Sequence, residues 1–421
     1  MRLLSFLFLS LLAPCVVPGQ GTEAEKIDSY IAPFAKAGHF SGVVVVGRGG
    51  KPILEKAYGY ANVELGVPNA PDTRIGIASI TKSMTAAIVR KMIDEGKLSM
   101  EDNISKFIPD FPQGSRITVG MLYRHRSGIP HHVMPPENET VPYTSAEMVE
   151  RIKLAKLEHE PGSARLYSSA GYTVLARILE LASGRSYSEL LEHYVFKPAG
   201  MQSSVDYSGR PIILRRAADY LIDTRGQFNA PAKDYSFLVG AGSVLSTARD
   251  VHSFALAVVN GVFGDSVRAG YLADRTWWSN GSTNGHRSET RVNGEHNYSY
   301  AIVSNLNSGA NDVILQAIKD IMEGKAVAAP VIPQPKFTTR TAADLTQYRG
   351  LYEREGGTRF EIKENGSSLY AGDIRLDPTG GDCFFEFRFY GEVCFIRDDA
   401  RRIKHITWAS PGVTSIWVKQ N

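Results

Sequence analysis

Ser79 and Lys82 stand three residues apart in the run Ala78-Ser79-Ile80-Thr81-Lys82, at the point where a helical pattern begins. On a helical turn that spacing puts both side chains on one face. A serine hydroxyl is a poor nucleophile until a neighbouring base removes its proton. A lysine becomes such a base when burial disfavours its ammonium form. The first turn of a helix also offers backbone N–H groups without intrahelical partners, which can hold a developing oxyanion. The same pair also fits a plain helix cap followed by an exposed lysine, so it needs context before it means nucleophilic catalysis.

Other residue types with chemical potential read differently. His131-His132 are adjacent, a spacing that seldom chelates one ion, and no partner motif accompanies them; they read as exposed loop, and no metal site is expected. Cys383 and Cys394 lie close together near the C-terminus and are consistent with a disulfide or with two buried thiols on neighbouring strands. Trp277-Trp278 fit a binding cleft or the core equally well. The glycines at 47, 49 and 50 lack the Gly-Lys-Ser/Thr ending of a phosphate loop and read as a turn. The chain carries no Gly-X-Ser-X-Gly elbow.

The elements that must position Ser79 follow from periodicity. Ile80 to Glu95 reads as a helix with Met84, Ala87, Ile88 and Met92 on one face and Gly96 at its end. Tyr172 to Ala182 is a second helix, and Ser246 to Asp250 starts a third that runs to Val259. Gly42 to Gly47 and the segment from Pro52 form a hairpin around the glycine turn. Ala326 to Thr339, with prolines at 330, 333 and 335, reads as a linker. Beyond it, Tyr348 to Val418 alternates in short segments, the pattern of a small antiparallel sheet or barrel.

With these residues in place, the chain resembles the serine β-lactamase-like and penicillin-binding-protein superfamily, which includes class C β-lactamases, D-Ala-D-Ala carboxypeptidases, D-aminopeptidases and esterases. The resemblance runs over the segments Phe40 to Val46, Tyr58 to Asn62, Asp72 to Lys82, Glu95 to Ser99 and Ile117 to Gly128. It continues through Glu160 to Ser163, Tyr167 to Tyr172, Pro198 to Met201 and Ser299 to Asn305. It implies an α+β fold, with an antiparallel sheet flanked by helices, an all-helical region, and a small all-β, lipocalin-like C-terminal domain. The expected division is a catalytic domain at 24–325, a linker at 326–339 and the β domain at 340–421.

The resemblance assigns Ser79, Lys82 and Tyr167 as catalytic, with Tyr167 sharing the acid and base roles because lysine charge favours its anionic form. It puts the oxyanion hole at the N–H groups of Ser79 and Ser282. Substrate contacts fall to Ser169, Ser279, Asn280 and Gly281, and His125 belongs to a turn with local hydrogen bonds. Two departures stand out. Ser169 replaces the asparagine of the family's second motif, and Ser279 replaces the lysine or histidine of its third. A short hydroxyl offers no amide, and the site loses a cation. Both changes argue for esterase or small D-residue peptidase activity. The rivals are a D-Ala-D-Ala carboxypeptidase or β-lactamase acting on cell-wall peptides or penicillins, and a catalytically decayed binding protein. No cofactor is expected, and the partner is a small ester, lactam or short peptide.

The 421 residues, 43% hydrophobic and 22% charged with a formal charge of +3, describe an ordinary globular protein without the basic excess of a nucleic-acid binder. Arg2, the apolar run Leu3 to Val17 and Pro18-Gly19-Gln20 read as a signal peptide cleaved near Gly19. The run is short for a membrane anchor, and Pro14 is a poor neighbour for an acylated Cys15. A periplasmic or secreted protein without stable membrane insertion is the expectation. Five Asn-X-Ser/Thr sequons, at 103, 138, 280, 297 and 365, would matter only in a eukaryotic host.

Overall fold

The computed structural model describes residues 21–133, 140–207, 211–264, 267, 276–355, 357–366 and 368–420. The apolar leader at 1–19, with Cys15, and the sequon at Asn138 lie outside the described residues.

A five-stranded antiparallel sheet forms the middle of the region before residue 326. In chain order its strands are β1 (Gly42–Arg48), β2 (Lys51–Tyr58), β3 (Trp277–Thr283), β4 (His286–Asn293) and β5 (Tyr298–Ser304), in spatial order β3-β4-β5-β1-β2. Val43 and Val45 of β1 enter one core with the helical region, whereas Val44 and Val46 enter another behind the sheet. That is why β1 is a continuous valine run: a strand covered on both faces has no solvent side to make polar. The rear face is covered by α1 (Glu23–Lys36), with Ile27, Ile31 and Phe34, and by the late helix Ala310–Met322, with Ile314 and Ile318.

On the front face lie the helices expected from the apolar spacing, here α2 (Ile80–Asp94), α3 (Ser169–Ser183) and α4 (Ala248–Val259). Numbering α3 from Ser169 corrects the expected start at Tyr172. Ser168 is the cap, its hydroxyl accepting the Gly171 N–H at 2.8 Å, so the small residues before Tyr172 form the first turn. Thr247 caps α4 in the same way through the Asp250 N–H. No helix among the described residues is long and apolar enough to cross a membrane.

Beyond the irregular 326–339 stretch, eight antiparallel strands between Gly350 and Lys419 close into a barrel. Of the two readings of the cysteines, the disulfide is the one present: Cys383 and Cys394 are direct cross-strand partners and are bonded. The barrel is not a free appendage. Phe385, Phe387 and Tyr390 pack into the rear core with Phe34, Phe40 and Ile314, and the Gly309 N–H donates to Phe387 O at 2.8 Å. Tyr390 Oη lies 2.6 Å from His39 Nδ1. The docking turn is held from inside by Glu386, fully buried, whose carboxylate accepts the N–H groups of Phe389 and Gly391. Burial pushes that carboxyl up to about 7 against the pull of those donors.

Ile302 is fully buried on β5 in the rear core, whereas Ile53 on β2 is 36% exposed. Ile302→Ala should cost about 2–5 kcal/mol through lost burial and a residual cavity. Ile53→Ala should stay within about 0.5 kcal/mol. Urea unfolding midpoints of the two variants check this.

Candidate active site

Ser79 sits at the start of α2, where the chain leaves an extended segment and turns into the helix. The turn requires Ala78 to take φ +46°, in the left-handed region. An alanine there costs on the order of 1–2 kcal/mol, the kind of local strain that rigid surroundings must hold in place. Those surroundings are visible. Gly281 of edge strand β3 lies so close that a Cβ on it would fall 2.3 Å from Ile77 O and 2.6 Å from Ser79 N. Ser288, on β4, donates to Ile77 O at 2.8 Å. Only glycine fits at 281, and its fit brings the unpaired edge of β3 beside the nucleophile.

Lys82 Nζ lies 3.0 Å from Ser79 Oγ and donates to Ala241 O at 2.8 Å. The lysine is 6% exposed, and burial lowers its pKa to about 7. Much of the amine population is therefore neutral near neutral pH and able to accept the serine proton. The Ala241 carbonyl was not foreseen from the sequence. It belongs to a loop at 239–242 pinned by two threonines: Thr85 donates to Gly240 O at 2.6 Å and Thr173 to Val239 O at 3.0 Å. The run Gly240-Ala241-Gly242 was the available signal, since small residues mark a close approach of backbone.

Tyr167 comes from just before α3, and its hydroxyl donates to Ser79 Oγ at 2.9 Å. Lys82 Nζ lies over the face of its ring, 4.9 Å from the centroid. The expectation of a stabilised phenolate is corrected here. Burial raises the Tyr167 pKa, outweighing the Ser79 hydrogen bond and the Arg165 charge that lower it. The phenol, 37% exposed, thus keeps its proton and can donate it, beside a Lys82 amine that can accept one.

The third-motif residues all lie on β3. Ser279 is half-buried with its Oγ 2.9 Å from Ser83 Oγ, Asn280 and Ser282 are exposed, and Ser282 Oγ accepts from Asn307 Nδ2 at 3.1 Å. Trp277 is in the core, as one of the two readings has it, and Trp278 is 53% exposed beside Arg291. Ser169 is buried and meets His131 through its backbone: its N–H lies 3.1 Å from His131 O and 3.3 Å from Nδ1.

The expected exposed loop at 131–132 is corrected for His131, which is half-buried with its ring edge-on to Tyr167 at 5.2 Å. Sequence spacing gave no sign of this, because the contact joins segments 36 residues apart. His125 departs from the expected local hydrogen bonding of its side chain, which reaches the segment 167–172. Its Nδ1 accepts the Ser168 N–H at 3.2 Å, and its ring stacks on Tyr172 and lies 4.5 Å from Tyr167. Burial first, with Lys82 among the charges adding to it, pushes His125 and His131 each down to about 4.

A family profile described as Beta-lactamase matches residues 27–321. PbpX of Bacillus subtilis, by its name a candidate penicillin-binding protein, is 30% identical over 237 residues, which are 56% of this chain and 58% of PbpX. The mouse mitochondrial serine beta-lactamase-like protein LACTB is 28% identical, over 52% of this chain and 54% of its own. The chain spans about half the length of the curated relatives it matches. A D-amino acid amidase from Ochrobactrum anthropi SV3, solved with L-phenylalanine, superposes with a TM-score of 0.64 at 20% identity, over 71% of this chain and 99% of that one.

Three outcomes follow from the geometry. Acylation of Ser79 should rise with pH through about 7 and level above it, because the deprotonated Lys82 amine is the acceptor and dominates above its pKa. The two histidines, at about 4, stay neutral across that range. Lys82→Arg, which keeps its charge, should lower the rate by about 10²–10⁴-fold. Gly281→Ala, which drives a methyl against Ser79 N, should cost about 10²–10³-fold. Stopped-flow acylation by an activated ester measures all three.

Proposed function

The chain belongs to the Beta-lactamase family of serine hydrolases, and from that premise we propose that it is an exported enzyme that forms an acyl-enzyme on Ser79, with esterase or small D-residue peptidase activity. The observation that carries the reading is the placement of one hydroxyl, Ser79 Oγ, between a buried amine at 3.0 Å and a phenol at 2.9 Å. Ser79 Oγ attacks the substrate carbonyl while its proton passes to Lys82 Nζ. The tetrahedral oxyanion is held by the backbone N–H groups of Ser79 and Ser282, a strand edge and a helix start. As the bond to the leaving alcohol or amine breaks, the proton reaches that atom through the Tyr167 hydroxyl, which shares the serine oxygen with Lys82. Water then attacks the acyl-enzyme by the same proton path and releases the acid.

The substrate preference rests on the two replaced motif residues. Ser279 pairs with the neutral Ser83 hydroxyl where the family resemblance leads one to expect a cation, so the β3 side of the cleft is poorly suited to a substrate carboxylate. That weighs against a D-Ala-D-Ala carboxypeptidase or penicillin hydrolase. The intact Ser79, Lys82 and Tyr167 geometry weighs against a decayed binding scaffold. The likeness to the D-amino acid amidase fold is compatible with small amide substrates. Export rests on the leader at 1–19, and the domain division on the irregular stretch at 326–339.

Intact-mass spectrometry after exposure to p-nitrophenyl esters, a penicillin and a fluorophosphonate, beside Ser79→Ala, tests the reading. Adducts from the esters and the fluorophosphonate should appear on the native protein and vanish in the variant, with the penicillin adduct weak or slow. A folded protein inert to every probe would replace the enzyme by a binding scaffold, and a dominant penicillin adduct would restore the cell-wall reading.

A further inference from the structure

Ser282, one of the two proposed oxyanion donors, stands next to the end of β3, where the chain turns through Asn284 and Gly285 into β4. A buried pair grips that turn. His286, the first residue of β4, is 2% exposed, and its Nε2 bonds to the Asp219 carboxylate. Its Nδ1 lies 3.2 Å from Thr283 Oγ1, across the turn. Tyr235 Oη lies 3.3 Å from Asp219 Oδ2 and 3.2 Å from Asn284 O, so one phenol touches both the carboxylate and the turn backbone. Gly285 has φ +88°, and a Cβ on it would fall 2.6 Å from Asp219 Cβ. The turn therefore rests directly on the residue that holds its histidine.

The same ring reaches the nucleophile's side. A Cβ on Gly76 would fall 2.3 Å from His286 Nδ1, so the imidazole fills the space left where the short strand Ile75–Gly76 has no side chain. Two residues later the chain enters the strained turn at Ala78 and reaches Ser79. One imidazole thus lies between the segment that presents the serine and the turn that follows Ser282.

Packing alone does not call for such a pair. Polar groups withdrawn from water are costly, and an apolar pair of similar volume is commonly as stable. What the pair supplies is direction, because hydrogen bonds weaken steeply when their geometry is disturbed. An oxyanion hole depends on direction, since its N–H groups must stand about 2.7–3.1 Å from the place where charge develops. Burial opposes the Asp219 charge, yet the charges of His286 and Arg216 and the Tyr235 hydroxyl hold that carboxyl below its usual range. It stays an ionised acceptor for the imidazole.

We propose that His286 and Asp219 are positioning residues for the acylation of Ser79: they lock the β3–β4 turn to the Ile75–Gly76 segment and so aim the Ser282 N–H at the oxyanion. This rests on Ser79 acting as the acyl acceptor. Both side chains act through the backbone of Ser282, and neither is assigned a contact with substrate.

Removing one partner would strand the other in the interior, so both are changed together. Asp219→Ala with His286→Phe takes away the directional bonds and keeps a ring against Gly76. Asp219→Asn with His286→Gln keeps an uncharged hydrogen bond between the two positions. For each, kcat and KM with p-nitrophenyl butyrate are measured per Ser79 titrated to completion with a fluorophosphonate. The inhibition constant of phenylboronic acid is measured beside them, because its tetrahedral adduct puts an oxygen in the oxyanion site. In the apolar pair kcat should fall roughly tenfold or more, with KM within about threefold of native and boronic acid binding weakened in step with kcat. The amide pair should return kcat to within about threefold of native. Tyr235→Phe, which keeps its ring and cuts only the phenol's links, should lower kcat about fivefold, the worth of one hydrogen bond, and it decides alone if the apolar pair does not fold. A role confined to stability would lower the urea midpoint and leave kcat per titrated site and boronic acid binding unchanged within about twofold. That result overturns the assignment, as does an equal fall in the apolar and amide pairs. A native protein inert toward the ester and the fluorophosphonate overturns the Ser79 reading and this inference with it. Native turnover that the variants leave unmoved overturns the His286 and Asp219 assignment alone.

Discussion

Taking an amine out of water is costly if it stays charged, and at Lys82 the fold surrounds the nitrogen with a carbonyl and a hydroxyl and, among the described residues, supplies no carboxylate partner. A carboxylate in contact would hold the ammonium form and leave the serine without a base. The rest of the site can be read as consequences of that choice. The 239–242 loop must be pinned by Thr85 and Thr173 so that its carbonyl meets the amine. Tyr167 must close the same space with its ring, and burial that lowers the lysine also raises the phenol. The buried Lys82 and the partly exposed Tyr167 therefore meet as a readily deprotonated amine beside a protonated hydroxyl.

The nucleophile is positioned by a second constraint, an edge strand pressed against a strained turn. Ala78 in the left-handed region and Gly281 without a side chain are two halves of one contact. The strand supplies backbone where a side chain would block access, and the turn presents the serine ahead of its helix. Because β3 is terminal in the sheet, its outer backbone groups are available for a substrate without breaking any strand pairing.

Much of this was legible in the amino-acid sequence, for physical reasons. The 3.6-residue period places Lys82 over Ser79, and apolar runs on either side of a glycine turn announce a hairpin. Alternation after residue 348 announces the barrel. What was not legible depends on contacts between distant segments. The Ala241 carbonyl carries no side-chain signal. His131 becomes part of the site only because α3 starts at Ser169, and the expected start at Tyr172 hid that turn. The direction of the Tyr167 shift depends on burial, which spacing does not encode. The cysteines left two outcomes open until strand register paired them.

The stretch at 326–339 looks like a seam, yet the two sides of it share one hydrophobic core. Phe385, Phe387 and Tyr390 finish a layer begun by Phe34 and Phe40, and the Thr338 N–H is already committed to Pro378 O on the barrel. The compositional break in the sequence and the boundary of packing therefore fall in different places. For anyone recombining such modules, the unit to be exchanged is the barrel together with the surface it seals. A cut at the prolines alone would leave each half with an adhesive scar.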